Sequence, residues 1–175
     1  MSCRKAVGDP YLLHQLMIGN FRLTLALASQ GQGVTVSWRG IDEELPVRPD
    51  GFFGLQFPGL PDGRNRAFFF LEADRSTMTG RRFIAKLLAY AHWRAQGEHT
   101  AKLGIKNFRL LTVTKSDDRM RNLIKLVVRT EALRGTQPAL WFTSENRFTP
   151  TQPPSIFAPI WETPGEPGVL QSLLP

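Results

Sequence analysis

The sequence predicts an α/β protein in which helices flank a mixed central sheet of about five strands. The chain has 175 residues, a length typical of one domain, and its 42% hydrophobic and 21% charged residues are those of a globular protein. Stretches with helical periodicity alternate along it with short runs typical of strands. We expect one domain over residues 1–149 and an extended or partly mobile Pro-rich tail over residues 150–175.

The first half of the chain predicts a helix followed by three strands. An apolar run from Tyr11 to Ser29 follows the capping pair Asp9 and Pro10, which favours a helix packed on more than one side. Residues 34–38 alternate between apolar and polar types, as in a half-buried strand. Residues 51–57 and 66–73 then predict a hairpin around a turn rich in Pro and Gly.

The second half predicts helix, strand, helix and strand. Ser76, Thr77 and Thr79 are candidate N-caps for a helix that ends near Gln96. A strand over residues 108–114 follows, then a helix that begins after Ser116 and a short strand over residues 140–142. The alternation of strands and helices indicates that helices cover both faces of the sheet.

Positive charge is concentrated in one part of the chain. Between Thr79 and Arg134, thirteen basic residues stand against four acidic ones, a net charge of +9, whereas the rest of the chain has −2. A polyanion is the natural partner of such a segment, and nucleic acid is the first candidate because its phosphates release counterions on binding Lys and Arg. The alternatives are solvated helix faces and, less favoured, an anionic membrane surface.

Three acidic residues are expected to converge near the end of the hairpin. Glu72 and Asp74 are two apart on a strand and therefore share a face. If opposed residue numbers in the hairpin sum to about 123, Asp50 lies opposite them, and it shares their face only if the true sum is even. Three carboxylates suit Mg²⁺ or Mn²⁺. Alternatively, Asp50 caps a turn while Glu72 and Asp74 pair with Arg75 and Arg48.

Several motifs together resemble the replication-relaxation family of plasmids and other mobile elements. They are Arg48-Pro49-Asp50-Gly51, the run from Phe69 to Thr77, and Arg82-Phe83 followed by the run from Lys86 to Tyr90. The resemblance extends roughly from His14 to Phe148. It implies a DNA-associated protein whose partners are DNA and plasmid replication or relaxase components.

The same layout is similar to the PD-(D/E)XK nuclease-like fold, of which this family resembles a divergent version. Carried over, Asp50 and Glu72 match the two metal-binding acids, while Asp74 stands where those nucleases place a lysine. Lys86 is the candidate replacement, although it lies about 140° from the centre of the apolar face of its helix. The resemblance thus implies Asp50, Glu72, Asp74 and Lys86 as catalytic residues, with the three acids binding Mg or Mn.

Lys86 belongs to a second stripe of its helix, with Arg82, Tyr90 and Trp93. Together with Arg75, this stripe is a candidate nucleic-acid surface, on which Arg82 and Lys86 contact phosphates and Tyr90 or Trp93 stacks on bases. The alternative is that Tyr90 and Trp93 pack against a neighbouring element while the basic side chains reach solvent.

Three functions are therefore expected, in decreasing order. The first is a metal-dependent nuclease, the second a non-catalytic DNA-binding module on the same fold, and the third an interaction protein that recruits a partner through its Pro-rich tail and Trp161. Cys3 is the only cysteine, so no cysteine cluster can hold a metal. No segment resembles a membrane span or a secretory signal, and a cytoplasmic location is expected.

Overall fold

The computed structural model describes residues 9–40 and 45–175. The prediction about a secretory signal concerns the start of the chain, and residues 1–8 lie outside the described residues. The helices are α1 (Pro10–Gln32), α2 (Gly80–Ala95), α3 (Glu98–Leu103) and α4 (Asp117–Arg129). The strands are β1 (Thr35–Trp38), β2 (Gly51–Gln56), β3 (Arg66–Asp74), β4 (Arg109–Thr114), β5 (Leu140–Ser144), β6 (Trp161–Glu162) and β7 (Leu170–Gln171). Shorter 3₁₀ helices cover Glu131–Ala139, Glu145–Arg147 and Pro153–Phe157.

The strands form one mixed sheet in chain order from β1 to β7. Strands β3, β4 and β5 are parallel to one another, and the other neighbouring pairs are antiparallel. The two parallel connections pass through α2 and α4, as parallel strands require a crossover. The mixed α/β class is confirmed, but the sheet described here has seven strands rather than about five.

Two apolar cores lie on opposite faces of the sheet. Phe21 and Leu25 of α1 pack with Phe53 and Leu71 on one face. On the other face the side chains of α2 and α4 pack with Phe52 and Phe70 and with neighbouring residues of the central strands. Successive residues of a strand point to opposite faces, so the Phe-rich run of β3 feeds both cores at once.

The Pro-rich segment is part of this architecture, and its description as an extended tail is wrong. Strand β6 pairs with β5, and Ile156, Phe157, Trp161 and Leu173 are buried in the core beneath α1. Trp161 is fully buried, so it is not the exposed recruiting aromatic that was predicted. The two strands of the Pro-rich segment, β6 and β7, are only two residues long. This is too short for an apolar periodicity to be visible in the sequence.

Helix α1 covers the sheet with one side only. Its buried residues run from Met17 to Ser29, whereas Leu12, Leu16, Leu23 and Leu27 on its outer side are exposed. The prediction of packing on more than one side is therefore not met by the part of the chain that the structure describes. In those same ranges, no helix has the length and apolar character needed to cross a bilayer.

Candidate functional site

Asp50 and Glu72 meet where β2 begins and β3 ends. In the antiparallel pair, Gly51 lies opposite Leu71 and Phe52 opposite Phe70, so opposed residue numbers have an even sum. The paired residues of this ladder end at Gly51 and Leu71, and just before them the Asp50 N–H donates to the Leu71 carbonyl at 2.9 Å. Asp50 lies close enough to Glu72 for its negative charge to raise the pKa of Glu72, although the two side chains contact different helices, Asp50 through His14 of α1 and Glu72 through Lys86 of α2.

Glu72 is buried and compensated by two side chains of α2. Its side chain is only 7% exposed, Lys86 forms an ion pair with Oε2, and the Tyr90 hydroxyl donates to Oε1 at 2.7 Å. Lys86 and Tyr90 are four residues apart and so occupy one side of the helix. This side faces the end of β3, which explains how Lys86 reaches the carboxylate although it lies away from the centre of the apolar face.

The protonation of Glu72 is set by opposing effects. Burial disfavours the charged form and raises the pKa of Glu72 to about 7, against the attraction and hydrogen bond of Lys86. The nearby negative charge of Asp50 raises this pKa further. Burial and the Glu72 carboxylate also raise the pKa of Tyr90 well above its ordinary value, so Tyr90 stays a hydrogen-bond donor. A carboxyl group that titrates near neutral pH is able to exchange protons under physiological conditions.

Asp50 lies at the edge of the sheet, between α1 and Glu72. Its side-chain oxygen Oδ2 accepts from the Ala73 N–H at 2.8 Å and lies 3.3 Å from Nε2 of His14. Its neighbour Gly51 is held close to Trp38, since a Cβ at that position would come within 2.8 Å of the indole ring. The Asp-Gly pair therefore lets the strand begin beneath Trp38 while the carboxylate turns towards the end of β3.

Asp74 belongs to a different arrangement. Arg119 at the start of α4 donates to its Oδ2 at 2.6 Å, and the Ser76 N–H donates to its Oδ1 at 2.9 Å. Ser76 has a φ of 63°, a left-handed conformation that is rare outside glycine and marks a tight turn after β3. Asp74 thus anchors this turn to α4 rather than joining Asp50 and Glu72.

The predicted nucleic-acid stripe has a different environment from the one expected. Tyr90 and Trp93 are each only 2% exposed and pack against Phe70, so they are not available to stack on bases. The stacking role is therefore wrong, and the packed alternative describes these rings. Arg75 pairs with Glu145 at 2.6 Å, while Arg82 is exposed on the first turn of α2.

The acids suit a divalent cation only as a pair. Within residues 9–40 and 45–175, no group of three or more His, Cys, Asp or Glu side chains is arranged to hold a metal. The three-carboxylate arrangement is therefore not found there, because Arg119 holds Asp74. Magnesium is commonly bound through one or two carboxylates and several waters, so Asp50 and Glu72 fit in ligand type and number. Metal binding by this pair stays a prediction.

Three neighbours of the acids were not identified from sequence. His14 and Arg119 contact Asp50 and Asp74 from helices 36 and 45 residues away along the chain. Thr112 lies beside Glu72 in the register of β4, and its hydroxyl is buried with no hydrogen-bond partner among the described residues. Only the four-residue spacing of Lys86 and Tyr90 signalled a shared contact in advance.

Comparison with known proteins gives a family but no close relative. No curated protein and no solved structure matches this chain. The order α1, β1, β2, β3, α2, α3, β4 contains the expected helix, three strands, helix and strand with the short helix α3 added, and a nuclease-like fold is not confirmed. The family model described as replication-relaxation matches residues 2–107, which is more than half of the chain and includes Asp50, Glu72 and Lys86. The chain therefore belongs to the replication-relaxation family.

Proposed function

We propose that this protein acts on the DNA of plasmids or other mobile elements and hydrolyses phosphodiesters at the cluster of Asp50, Glu72 and Lys86. The observation that carries the proposal is the contact of Lys86 with Glu72, a buried carboxyl group whose pKa is also raised by the nearby charge of Asp50. A nuclease of this kind needs two acids and a cation, and the cation comes here from α2. The two acids and the cation are therefore all present, although Asp74 occupies the position where such nucleases place their lysine.

Each side chain has a role that follows from its contacts. When bound, a divalent cation supplies an activated water and polarises the phosphodiester. Lys86 provides a fixed positive charge that stabilises the negative charge developing on the phosphate. Tyr90 orients the Glu72 carboxylate through its 2.7 Å hydrogen bond, and the Ala73 N–H does the same for Asp50.

Exposed basic residues at this end of the sheet support binding of the DNA backbone. Arg82 lies one helical turn before Lys86 on α2, and both Arg81 and Arg82 are exposed. Lys115 is exposed directly after β4, and its N–H donates to the Asp74 carbonyl at 3.2 Å. Phosphate contacts by such residues give affinity without sequence preference and position the strand near the acids.

A second candidate function is a non-catalytic DNA-binding module. The observation that favours it is that Lys86 already neutralises Glu72 and Arg119 already neutralises Asp74. On this account the acids are retained to join β3 to α2 and α4. DNA binding would then be sensitive to salt and insensitive to a chelator.

The two candidates are separated by incubating the protein with supercoiled plasmid and with single-stranded DNA in Mg²⁺ or Mn²⁺. We expect nicking by the wild type, loss of nicking in EDTA and loss in Asp50→Asn. The matched control is Asp118→Asn, which removes the same charge from a carboxylate that is 88% exposed. Equal nicking by Asp50→Asn and the wild type overturns the hydrolytic assignment. Chelator-independent binding without nicking supports the binding module.

A further inference from the structure

Three arginines line a groove at the opposite end of the sheet from the acids. Arg66 begins β3, Arg109 begins β4, and Arg94 lies in the last turn of α2. They surround a cavity of about 470 Å³ whose walls also include Phe68 and Asn107. The five residue steps from Arg109 to Thr114 separate this groove from the acid end by about 17 Å.

Two of the three guanidinium groups, those of Arg94 and Arg109, are held in place by carbonyl and aromatic contacts. Arg94 donates to the Phe108 carbonyl at 3.2 Å and lies over the Phe108 ring at 5.5 Å. Arg109 lies over the Trp141 ring with its guanidinium carbon 4.7 Å from the ring centre. These contacts orient the positive charges without neutralising them.

No acidic side chain lines the groove, and none of its arginines belongs to an ion pair among the residues that the structure describes. Burial and the positive charge of Arg94 lower the pKa of Arg109. Like charges held together in a partly buried position are unfavourable, and an anion placed between them removes this cost.

A second cavity adjoins the first at this same end of the strands. It has a volume of about 390 Å³, shares Arg66 and Arg109 with the first, and adds Arg64 and the hydroxyl-bearing Ser172. Its lining also contains no Asp or Glu. Four arginines therefore line two adjoining cavities at this end of the sheet, with Arg66 and Arg109 common to both.

We propose that this surface, the arginine groove of Arg64, Arg66, Arg94 and Arg109, binds phosphate groups of nucleic acid. Arginine is suited to this ligand because its planar guanidinium donates two parallel hydrogen bonds to phosphate oxygens. The phosphates belong to an oligonucleotide backbone, for which the elongated shape is suited, and a free nucleotide offers the same chemistry. The inference deepens the DNA-binding part of the proposed function and does not depend on hydrolysis at the acid cluster.

The test is fluorescence anisotropy of a short labelled oligonucleotide, single-stranded and as a duplex, in EDTA so that cleavage plays no part. We expect Arg66→Gln/Arg109→Gln to weaken binding about ten-fold or more. The slope of log binding constant against log salt concentration should become less steep by about one to two. The matched control is Arg121→Gln/Arg134→Gln. It removes two charges from exposed arginines that each pair with an acid three residues away, and it should change binding less than two-fold, by a rough allowance for net charge.

Conservative variants separate recognition from folding. Arg66→Lys/Arg109→Lys keeps the charge and should restore part of the binding, while circular dichroism shows whether each variant is folded. Binding of inorganic phosphate or a nucleoside triphosphate, measured by isothermal titration calorimetry, without any oligonucleotide binding supports the groove and assigns it to a small phosphate-bearing ligand. Equal binding losses in the groove and control variants overturn the proposal, as does the absence of binding to every probe. Nicking is measured in a separate assay. If the wild type binds the oligonucleotide but does not nick plasmid, only the hydrolytic function is refuted.

Discussion

At the end of the sheet where β3 finishes, the buried carboxylates of Glu72 and Asp74 each form an ion pair with a basic side chain. At the end where β3 begins, Arg66, Arg94 and Arg109 line a groove that contains no acid. The first set of charges is compensated within the fold, and the second is open to a ligand from outside. An ion pair, whose two charges cancel, contributes to the stability of the fold, whereas a cluster of like charges without a counterion favours binding of an anion.

The largest expected effect comes from breaking the compensated end. Lys86→Met leaves the Glu72 carboxylate buried beside Asp50 without its cation. We expect the free energy of unfolding to fall by about 2–4 kcal/mol, slightly less than the roughly 3–5 kcal/mol usual for a fully buried pair, because the Lys86 side chain is 20% exposed. Urea denaturation at neutral pH measures this fall. The double variant Lys86→Met/Glu72→Gln should recover most of it, and a double variant as unstable as Lys86→Met contradicts the pairing.

A second large effect is expected at the neighbouring pair. Arg119→Met removes the bidentate partner of Asp74, whose side chain is 6% exposed, together with the 2.9 Å hydrogen bond to the Met78 carbonyl. We expect a loss of about 2 kcal/mol in the free energy of unfolding. Because Asp74 stands apart from Asp50, nicking per folded molecule should persist. Complete loss of nicking in folded Arg119→Met would place Asp74 in the reaction after all.

The pH dependence of stability isolates Glu72. Burial raises its pKa from 4.5 to about 7, so between these values the folded state binds more protons than the unfolded state. The stabilising effect is full below pH 4.5 and is lost as the pH rises through about 7. The free energy of unfolding should fall across this window by on the order of 1–3 kcal/mol more in the wild type than in Glu72→Gln.

This difference is measured by urea denaturation in EDTA at several pH values for both proteins. The other groups facing Glu72 are Lys86, Tyr90 and Asp50, and they are common to both. Parallel stability curves would show that Glu72 has an ordinary pKa in the folded protein. A curve that rises with pH in the wild type relative to Glu72→Gln would show a lowered pKa.

The smallest effect is expected in the arginine groove. Arg109→Gln removes a charge that burial and Arg94 already disfavour. The lost contact with Trp141 offsets this relief, so we expect the free energy of unfolding to stay within about 0.5 kcal/mol of the wild type. Thermal unfolding measures the change. A loss as large as that of Lys86→Met would indicate an internal counterion and would remove the contrast between the two ends.

Sequence periodicity predicted the main helices and strands because each has a clear apolar pattern. The N-caps Thr79 and Ser116 were among those expected, and each side chain accepts a backbone N–H of the helix that it begins. The two-residue strands β6 and β7 carry no such pattern, and the prolines around them suggested a tail. The burial of Trp161 in β6 depends on tertiary contacts with β5 and α1 that no local signal reports.

The candidate site was predictable in part. The hairpin register placed Asp50 near Glu72, and the family resemblance pointed to Lys86. The stripe of Lys86, Tyr90 and Trp93 was visible in the sequence, but its surroundings were not, since a basic and aromatic stripe is compatible with both solvent and a buried acid. The pairing of Asp74 with Arg119 joins residues 45 positions apart, and no spacing rule predicts it.

The division of roles between the two ends is tested most directly by measuring plasmid nicking and oligonucleotide binding on the same three folded proteins. The account predicts that Asp50→Asn loses nicking in Mg²⁺ or Mn²⁺ while keeping or strengthening binding. It predicts that Arg66→Gln/Arg109→Gln loses binding about ten-fold relative to the wild type. Nicking that survives in Asp50→Asn, or binding that survives unchanged in the groove variant, would contradict it.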